Sequence, residues 1–139
     1  MIKLAKPYLP ALFALAAGIV AFALGTPGQA QDAKLAVFNS ISMGEWTVRF
    51  RDGSPARKVC VRTGQELLQL RHEQTGCRQV VVANDAQEAT VQYTCQGHGY
   101  GRTTLRRETS SLVQLNSQGF ADDRPFQFFA EARRTGNCS

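Results

Sequence analysis

The chain has 139 residues, of which 16 are lysine or arginine and 11 are aspartate or glutamate, giving a formal net charge of +5 at pH 7. This length is enough for one small domain with a modest core. A mild positive charge is also what an ordinary soluble surface carries, and we do not expect nucleic acid among the partners.

The first 30 residues have the three parts of a cleavable secretory signal. Two lysines provide a positive start, and residues 11–24 form an uninterrupted run of apolar residues and glycine. Gly28 and Ala30 are the small residues that signal peptidase reads, so cleavage is predicted before Gln31. A retained membrane anchor is the alternative, but the apolar run is shorter than the roughly 20 residues that a span requires.

Cleavage of these 30 residues leaves 109, with a net charge of +3 because two lysines are lost. An even number of cysteines in an exported chain predicts two disulfides. The cysteines lack the close spacing of a zinc site and the two histidines do not complete one, so we expect neither a metal nor another cofactor. The predicted location is periplasmic or secreted, without stable membrane insertion after cleavage. The four cysteines are Cys60, Cys77, Cys95 and Cys138.

Residues 31–42 show little pattern and are predicted to be a flexible lead-in to a single domain over residues 43–139. The domain begins with a strand in which apolar residues, Trp46 among them, alternate with polar ones. Glycine occupies every second position of residues 97–101, a spacing that lets a neighbouring backbone or ring approach closely. The predicted strands cover residues 45–50, 56–61, 78–83, 89–95, 102–108, 111–115 and 124–133.

One short helix is predicted from about Gly64 to His72. Thr63 and Glu66 have the spacing of a capping box, in which each side chain bonds to the backbone of the other residue, and leucines follow. Short strands at close spacing with one helix predict a mainly β fold. We expect an antiparallel meander curled into a half-barrel or a small sandwich and held by two disulfides.

Four cysteines allow three pairings. Loop closure favours Cys60–Cys77, which encloses the predicted helix, together with Cys95–Cys138, which ties a hairpin to the last strand. The rival pairing follows from a hairpin that is symmetric about residue 86, because Cys77 then lies opposite Cys95 and leaves Cys60 with Cys138.

The order of glycines, cysteines and the tryptophan is similar to that of a known group of proteins. From about Ser42 to Cys138 the chain resembles the exported bacterial family called domain of unknown function 3617, although arginine and phenylalanine replace the threonine and methionine of the family's late strands. The resemblance implies a small, periplasmic, disulfide-bonded protein and implies no activity. The residues that carry it are Gly44-x-Trp46, Cys60, Gly76-Cys77, Cys95 and Gly136-x-Cys138.

Arg102, Arg106, Arg107 and His98 form the candidate ligand or partner surface. Guanidinium groups bind phosphate or carboxylate in a forked geometry, and an imidazole among glycines can bind a ligand or a proton near neutral pH. The alternative is that the arginines form the solvated face of a strand and that the histidine is exposed on a turn.

Five aromatic residues either fill the core or line a ligand pocket, and the small size of the domain favours the core. They are Trp46, Phe50, Tyr93, Phe126 and Phe128.

The leading functional hypothesis is an exported, non-catalytic binding or interaction module of the cell envelope, whose partner is an anionic envelope component or another periplasmic protein. The alternative is a periplasmic carrier that encloses a small apolar or lipid-like ligand in the curve of the sheet. A small hydrolytic enzyme ranks third, because no nucleophile motif accompanies the scattered serines, histidines and aspartates. A filled interior with an exposed apolar or arginine-rich face favours the module, and an aromatic-lined cavity favours the carrier.

Overall fold

The computed structural model describes residues 34–139, so the predicted signal, its cleavage site and the first residues of the lead-in lie outside the described residues. Within that range no helix is long and apolar enough to cross a membrane. The fold is mainly β, as predicted, with seven strands and two short 3-10 helices, Ala36–Ser40 and Gln65–Leu67. The strands are β1 (Gly44–Phe50), β2 (Arg57–Val61), β3 (Arg78–Asn84), β4 (Glu88–Cys95), β5 (Gly99–Thr109), β6 (Leu112–Ala121) and β7 (Arg124–Gly136).

All seven strands form one antiparallel sheet in the order β2-β1-β7-β6-β5-β4-β3. Six antiparallel steps separate the edge strands β2 and β3, so these two strands run in the same direction. The chain therefore leaves β2 at one end of the sheet and must return to the other end before β3 begins. Residues 62–77 make this return, and both edges border one cleft beside them, which shows that the sheet is curled.

The alternating pattern of the strands places one side chain in two on the inner face of the curled sheet. Trp46 is fully buried there, and its indole Nε1 donates a hydrogen bond of 3.0 Å to the Ser42 carbonyl oxygen. The glycine spacing after β4 has the predicted effect, because the Tyr93 hydroxyl occupies the space that a Cβ atom at Gly101 would need. The buried inner-face residues are Trp46, Val48, Val61, Ala89, Val91, Tyr93, Thr103, Leu105, Val113, Leu115, Ser117, Phe128, Ala130 and Ala132.

Two non-strand segments cover the inner face and complete the core. The prediction of a flexible lead-in through residue 42 needs correction for residues 35–41, whose apolar side chains are buried against the sheet. The 3-10 helix places Val37 and Phe38 in the core, and Leu35 and Ile41 flank it. Four apolar residues within seven positions are too few for a periodic pattern, and so the sequence did not indicate an ordered element.

The predicted helix over residues 64–72 is wrong, because only Gln65–Leu67 form a single 3-10 turn. Gly64 precedes the turn with a left-handed φ of 96° and lies against the Phe38 ring, where a side chain would collide. Beyond the turn, the buried residues are Leu68, Leu70 and His72, an alternation that an α-helix cannot bury on one side. The leucines thus reach the core through an irregular segment.

Half of the predicted capping interaction forms. The Glu66 carboxylate accepts hydrogen bonds from the backbone N–H groups of Thr63 (3.2 Å) and Gly64 (2.9 Å). The Thr63 hydroxyl accepts from the N–H of Gln65 at 3.2 Å, one residue earlier than in a capping box. The motif therefore shapes a turn and does not start a helix.

The late strands are longer than predicted. β6 continues past residue 115 to Ala121 although its inner face there carries Ser117 and Gly119, which break the apolar alternation. Pairing with β5 and β7 on both sides satisfies the backbone of this stretch. Asp122 and Asp123, at φ values of 49° and 61°, make the tight two-residue connection to β7.

The disulfides join Cys60 to Cys138 and Cys77 to Cys95. The preferred pairing of Cys60 with Cys77 is therefore wrong and the rival pairing is correct. Cys60 and Cys77 belong to opposite edges of the sheet, whereas Cys77 directly precedes the Arg78–Thr94 pair and so lies across from Cys95. The symmetric hairpin, and not loop closure, determined the partner.

We expect the folded protein to show blue-shifted emission from Trp46, its only tryptophan, because the side chain is fully buried. Trp46→Ala should lower the free energy of unfolding by about 3–5 kcal/mol, since it leaves a large cavity in the core. Phe129→Ala, which truncates a half-exposed aromatic on the outer face, is the matched control and should cost less than about 1 kcal/mol. Equal losses in urea unfolding, with red-shifted emission, would contradict this assignment.

We expect Glu66 to make the stability depend on pH. Burial alone raises the pKa of this carboxyl group, but hydrogen bonds from the backbone of residues 62, 63 and 66 and from the Thr63 hydroxyl outweigh it, and the pKa is lowered. A lowered pKa stabilises the folded state above the unfolded-state value of about 4.3, and this contribution is lost as the pH falls through the folded-state value. Glu66→Gln should cost about 1 kcal/mol at pH 7, and the difference from the parent should shrink below about pH 4 in urea titrations. If the two proteins differed by the same free energy of unfolding at pH 7 and at about pH 2.5, the lowered pKa of Glu66 would not contribute to stability.

Candidate binding surface

One half of the sheet's outer surface carries most of the exposed large apolar side chains and has no carboxylate on its strands. We call it the apolar face, and it consists of the outward-pointing residues at the end of the sheet that carries the β4–β5 and β6–β7 turns. Strand pairing aligns these residues in three rows that cross β3 to β7. The rows are Arg78, Thr94, Tyr100, Phe120 and Pro125; Val80, Gln92, Arg102, Gln118 and Gln127; and Thr90, Thr104, Asn116 and Phe129. Val82, at the register shift of β3, completes the face beside the third row.

The apolar face holds five of the six large hydrophobic side chains that are exposed among residues 34–139. Val80 is 64% exposed and Tyr100 is 48% exposed, values far above those of the inner-face residues. Their clustering on one side of the sheet is the informative feature, because single exposed apolar residues occur on every soluble protein. The five are Val80, Val82, Tyr100, Phe120 and Phe129.

The charges on this face are both positive. Arg78 and Arg102 are exposed and have no ion-pair partner within the described part of the chain. The neighbouring half of the outer surface differs, since there Arg106 pairs with Glu108 at 2.7 Å and Arg133 pairs with Glu131 at 3.4 Å. The two arginines of the apolar face are thus available to a carboxylate from another molecule.

A shallow depression of about 560 Å³ lies in the apolar face. Tyr100 and Phe120 stand side by side on paired strands with their rings nearly parallel and their centroids 5.9 Å apart. Pro125 pairs with Phe120 on the next strand, and Arg102 lies one row away. The depression thus combines aromatic walls with one uncompensated guanidinium group and several side-chain amides.

The structure separates the four residues of the predicted partner surface. Arg102 lies in the apolar face, and His98 is exposed on the β4–β5 turn that borders it. Arg106 is in the neighbouring row, where Glu108 compensates its charge. Arg107 lies at the other end of β5, where its Nε donates to the Ala86 carbonyl oxygen at 3.4 Å. Only Arg102 and His98 can therefore contribute to one surface.

The aromatic residues considered for a ligand pocket belong to the core or border it. Trp46, Tyr93 and Phe128 are buried, whereas Phe50 and Phe126 are partly buried and pack against the same cluster. The Phe50 and Phe128 rings meet edge to face at 5.2 Å, and the Arg71 guanidinium lies over both of them. These rings and the covering segments occupy the inner side of the sheet.

His72 forms the centre of a buried polar cluster that sequence reasoning missed. Its Nε2 lies 3.1 Å from the His98 carbonyl oxygen and 3.0 Å from that of Phe120, so this nitrogen carries a proton and donates. In the neutral imidazole Nδ1 then accepts from the Tyr93 hydroxyl at 3.0 Å. The histidine is held by a phenol and two carbonyl groups, and it is buried away from solvent. This arrangement anchors a loop and has no geometry for nucleophile activation.

Thr103 and Ser117 extend this anchoring to the preceding residues of the loop. The Thr103 hydroxyl donates to the Leu68 carbonyl oxygen at 2.7 Å and lies 2.8 Å from the Ser117 hydroxyl. Among the described residues, no buried side-chain nitrogen or oxygen lacks a hydrogen-bond partner. The polar groups of the core are therefore used to fix residues 68–72 on the sheet.

We expect deprotonation of the Tyr93 phenol to lower the free energy of unfolding at alkaline pH. Burial raises the pKa of Tyr93 to about 12, above its ordinary value of 10.0. A raised pKa stabilises the folded state below pH 10, and this contribution is lost as the pH rises through about 12. The free energy of unfolding should fall less steeply between about pH 10 and about pH 12 in Tyr93→Phe than in the parent. Parallel pH profiles of the two proteins would exclude this role of the phenol.

Sequence reasoning did not identify the apolar face, although it predicted the strands that contain its residues. The face forms only when five strands lie side by side, and the sequence does not specify that order. Val80 and Val82 were recognised as strand residues, but their exposure follows from the edge position of β3. Comparisons with protein-family models, with curated proteins and with solved structures find no match to this chain. The resemblance to the exported family of unknown function therefore stays a prediction.

Proposed function

We propose that this protein is an exported, non-catalytic interaction module of the cell envelope, and that it binds a partner protein through the apolar face. The observation that supports the proposal most strongly is the composition of that face. Cores of protein–protein interfaces are rich in aromatic residues and arginine and poor in lysine, glutamate and aspartate. The apolar face contains Tyr100, Phe120, Phe129 and two arginines and contains none of the depleted types.

The packing on the inner side of the sheet favours an interaction module over a carrier of a small ligand. Residues 35–41 and 67–72 cover the inner face, and Trp46 and Tyr93 are almost completely buried among their neighbours. A carrier would need this side of the sheet for its ligand. The protein's own chain fills most of it, and the cleft between the edges of the sheet is lined by none of the five aromatic residues considered for a ligand pocket.

The charges indicate the chemistry of the partner. Arg78 and Arg102 lack compensating carboxylates, and a second copy of the same face would place further arginines against them. The complementary surface is therefore that of a different protein, with apolar side chains to cover the aromatic pair and a carboxylate to reach Arg102. Two signs of an exported chain, the predicted signal and the disulfides, indicate a partner in the envelope.

We expect a photoreactive phenylalanine analogue at Gln118, within the apolar face, to cross-link one discrete protein in intact cells. The same analogue at Arg49, exposed on the outer surface of β1, is the matched control and should give no such adduct. Phe120→Ala should abolish the adduct and weaken binding of the purified partner at least tenfold, because it removes an aromatic anchor. Arg106→Gln should leave the affinity within twofold, since that charge is already compensated.

Phe120→Ala should also keep its free energy of unfolding within about 1 kcal/mol of the parent, because the side chain is partly exposed. Equal adducts from Gln118 and Arg49, adducts formed only with lipid, or an affinity insensitive to Phe120→Ala would each refute the proposal.

A further inference from the structure

The two edges of the sheet face each other across an open seam. β2 and β3 border a cleft of about 510 Å³ whose floor is the returning segment, and Val59, Leu70 and Gln79 line it together with further polar residues. The size lies in the range of ligand-binding clefts. No strand occupies the seam among residues 34–139, so it separates two strands that have a neighbour on one side only.

The backbone groups of β3 that point into the seam can be identified. Cys77 and Cys95 have Cα atoms 4.4 Å apart, the distance of a directly opposed pair that does not exchange backbone hydrogen bonds. The backbone N–H and C=O of Cys77 therefore point away from β4, and by alternation so do those of Gln79 and Val81. These groups have no backbone partner elsewhere in the described chain.

The same reasoning applies to β2. The Arg51 N–H bonds to the Phe129 carbonyl oxygen, so the odd-numbered residues of β1 face β7 and the even-numbered ones face β2. Trp46 pairs with Val59, which leaves the backbone groups of Lys58 and Cys60 pointing into the seam. Both walls of the cleft thus present unpaired donors and acceptors.

The directions of the edges make the seam suited to one additional strand. Because β2 and β3 are parallel to each other, a strand inserted between them in the opposite direction is antiparallel to both. The side chains of β3 support an apolar neighbour, since Val80 is 64% exposed on the outer face beside the seam. The inward side is polar, because Gln79 bonds there to Gln65 at 2.9 Å.

We infer that the seam binds an extended segment of the partner protein, which adds to β3 as an antiparallel edge strand with apolar residues facing outward beside Val80. Main-chain hydrogen bonds supply the affinity in this mode of recognition, and alternate side chains supply the specificity. The irregularity between Val81 and Ala83 limits regular pairing to residues 77–81. The Cys77–Cys95 disulfide holds this short edge in place before the segment arrives.

This inference deepens the proposed function, because it assigns the strand to the partner that covers the apolar face. Its test uses a separate probe, the peptide acetyl-Glu-Thr-Val-Thr-Val-Thr-Glu-amide, added to the isotope-labelled, disulfide-bonded protein. Threonines face the polar side of the seam, whereas valines and glutamates face outward, where one glutamate lies beside the exposed Arg78. Arg57, on the inward side of β2, is already paired with Glu73. We expect saturable changes in the amide resonances of Gln79 and Val81.

Gln79→Pro removes an N–H that points into the seam and leaves the β3–β4 hydrogen bonds intact, a position at which edge strands tolerate proline. We expect this variant to bind the peptide at least tenfold more weakly. Gln79→Ala keeps the N–H and loses only the side chain, so it is the matched control and should bind within threefold of the parent. Phe120→Ala should bind the peptide like the parent, because it lies away from the seam.

Each outcome has a separate meaning. Equal peptide affinity of Gln79→Pro and Gln79→Ala, or no resonance change at millimolar peptide, would overturn the inference while leaving the apolar face as proposed. Peptide binding without any effect of Phe120→Ala on the partner would overturn the proposed function alone. Changes at Gln79 that depend on protein concentration in the absence of peptide would assign the edge to a second copy and also overturn the inference.

Discussion

Residues 62–77 carry the chain along the inner side of the sheet, because β2 and β3 run in the same direction and the chain must return before β3 can start. This passage supplies Leu67, Leu68 and Leu70 to the core. Hydrogen bonds from Thr103 to Leu68 and from His72 to the carbonyl oxygens of His98 and Phe120 hold it there. The sheet could not bury its inner face without the passage, and the passage has no regular structure of its own without the sheet.

The two disulfides stabilise the edge strands β2 and β3, each of which has a neighbouring strand on one side only. Cys60 ties β2 to the end of the chain, and Cys77 ties the start of β3 to the end of β4. The sequence separations are 78 and 18 residues. The chain-entropy model assigns such loops about 4.5 and about 3 kcal/mol of stabilisation. For a domain whose total stability is of the order of 5–15 kcal/mol, these links keep two otherwise weakly held edge strands in place.

The inner and outer surfaces of the sheet thus have separate roles. The buried polar atoms of the described residues are all hydrogen-bonded, and the apolar side chains of the inner face pack into one core cluster. The outer surface is divided, because one half carries paired charges such as Arg106 with Glu108 and the other half carries exposed aromatic residues and unpaired arginines. This asymmetry has no benefit for an isolated domain in water, whereas a partner that covers the apolar face would account for it. The open seam borders the same face at β3, so one partner can contact both.

Sequence reasoning identified the strands where one face is apolar and the other polar, since a period of two predicts a half-buried strand from local information. Trp46 in the core and the seven strands followed from such patterns, whereas the two disulfides followed from the even number of cysteines. The helix was wrong because residues 68–72 bury alternate side chains without forming a strand or a helix. The lead-in needed correction over residues 35–41, which are too few for a periodic pattern to predict an ordered element. The second half of β6 was missed for a related reason, since Ser117 and Gly119 interrupt the alternation while its two neighbours satisfy its backbone.

The sequence by itself determined which residues of each strand point inward, because side chains alternate along any strand regardless of its neighbours. Strand order was decided only by the tertiary structure, and with it the disulfide partners, the edge position of β3 and the alignment of Tyr100, Phe120 and Arg102 on one surface. These features depend on contacts between residues that are far apart in the chain. No local pattern specifies such contacts, because which strands pair and which apolar faces are buried depends on the free energy of the whole folded chain.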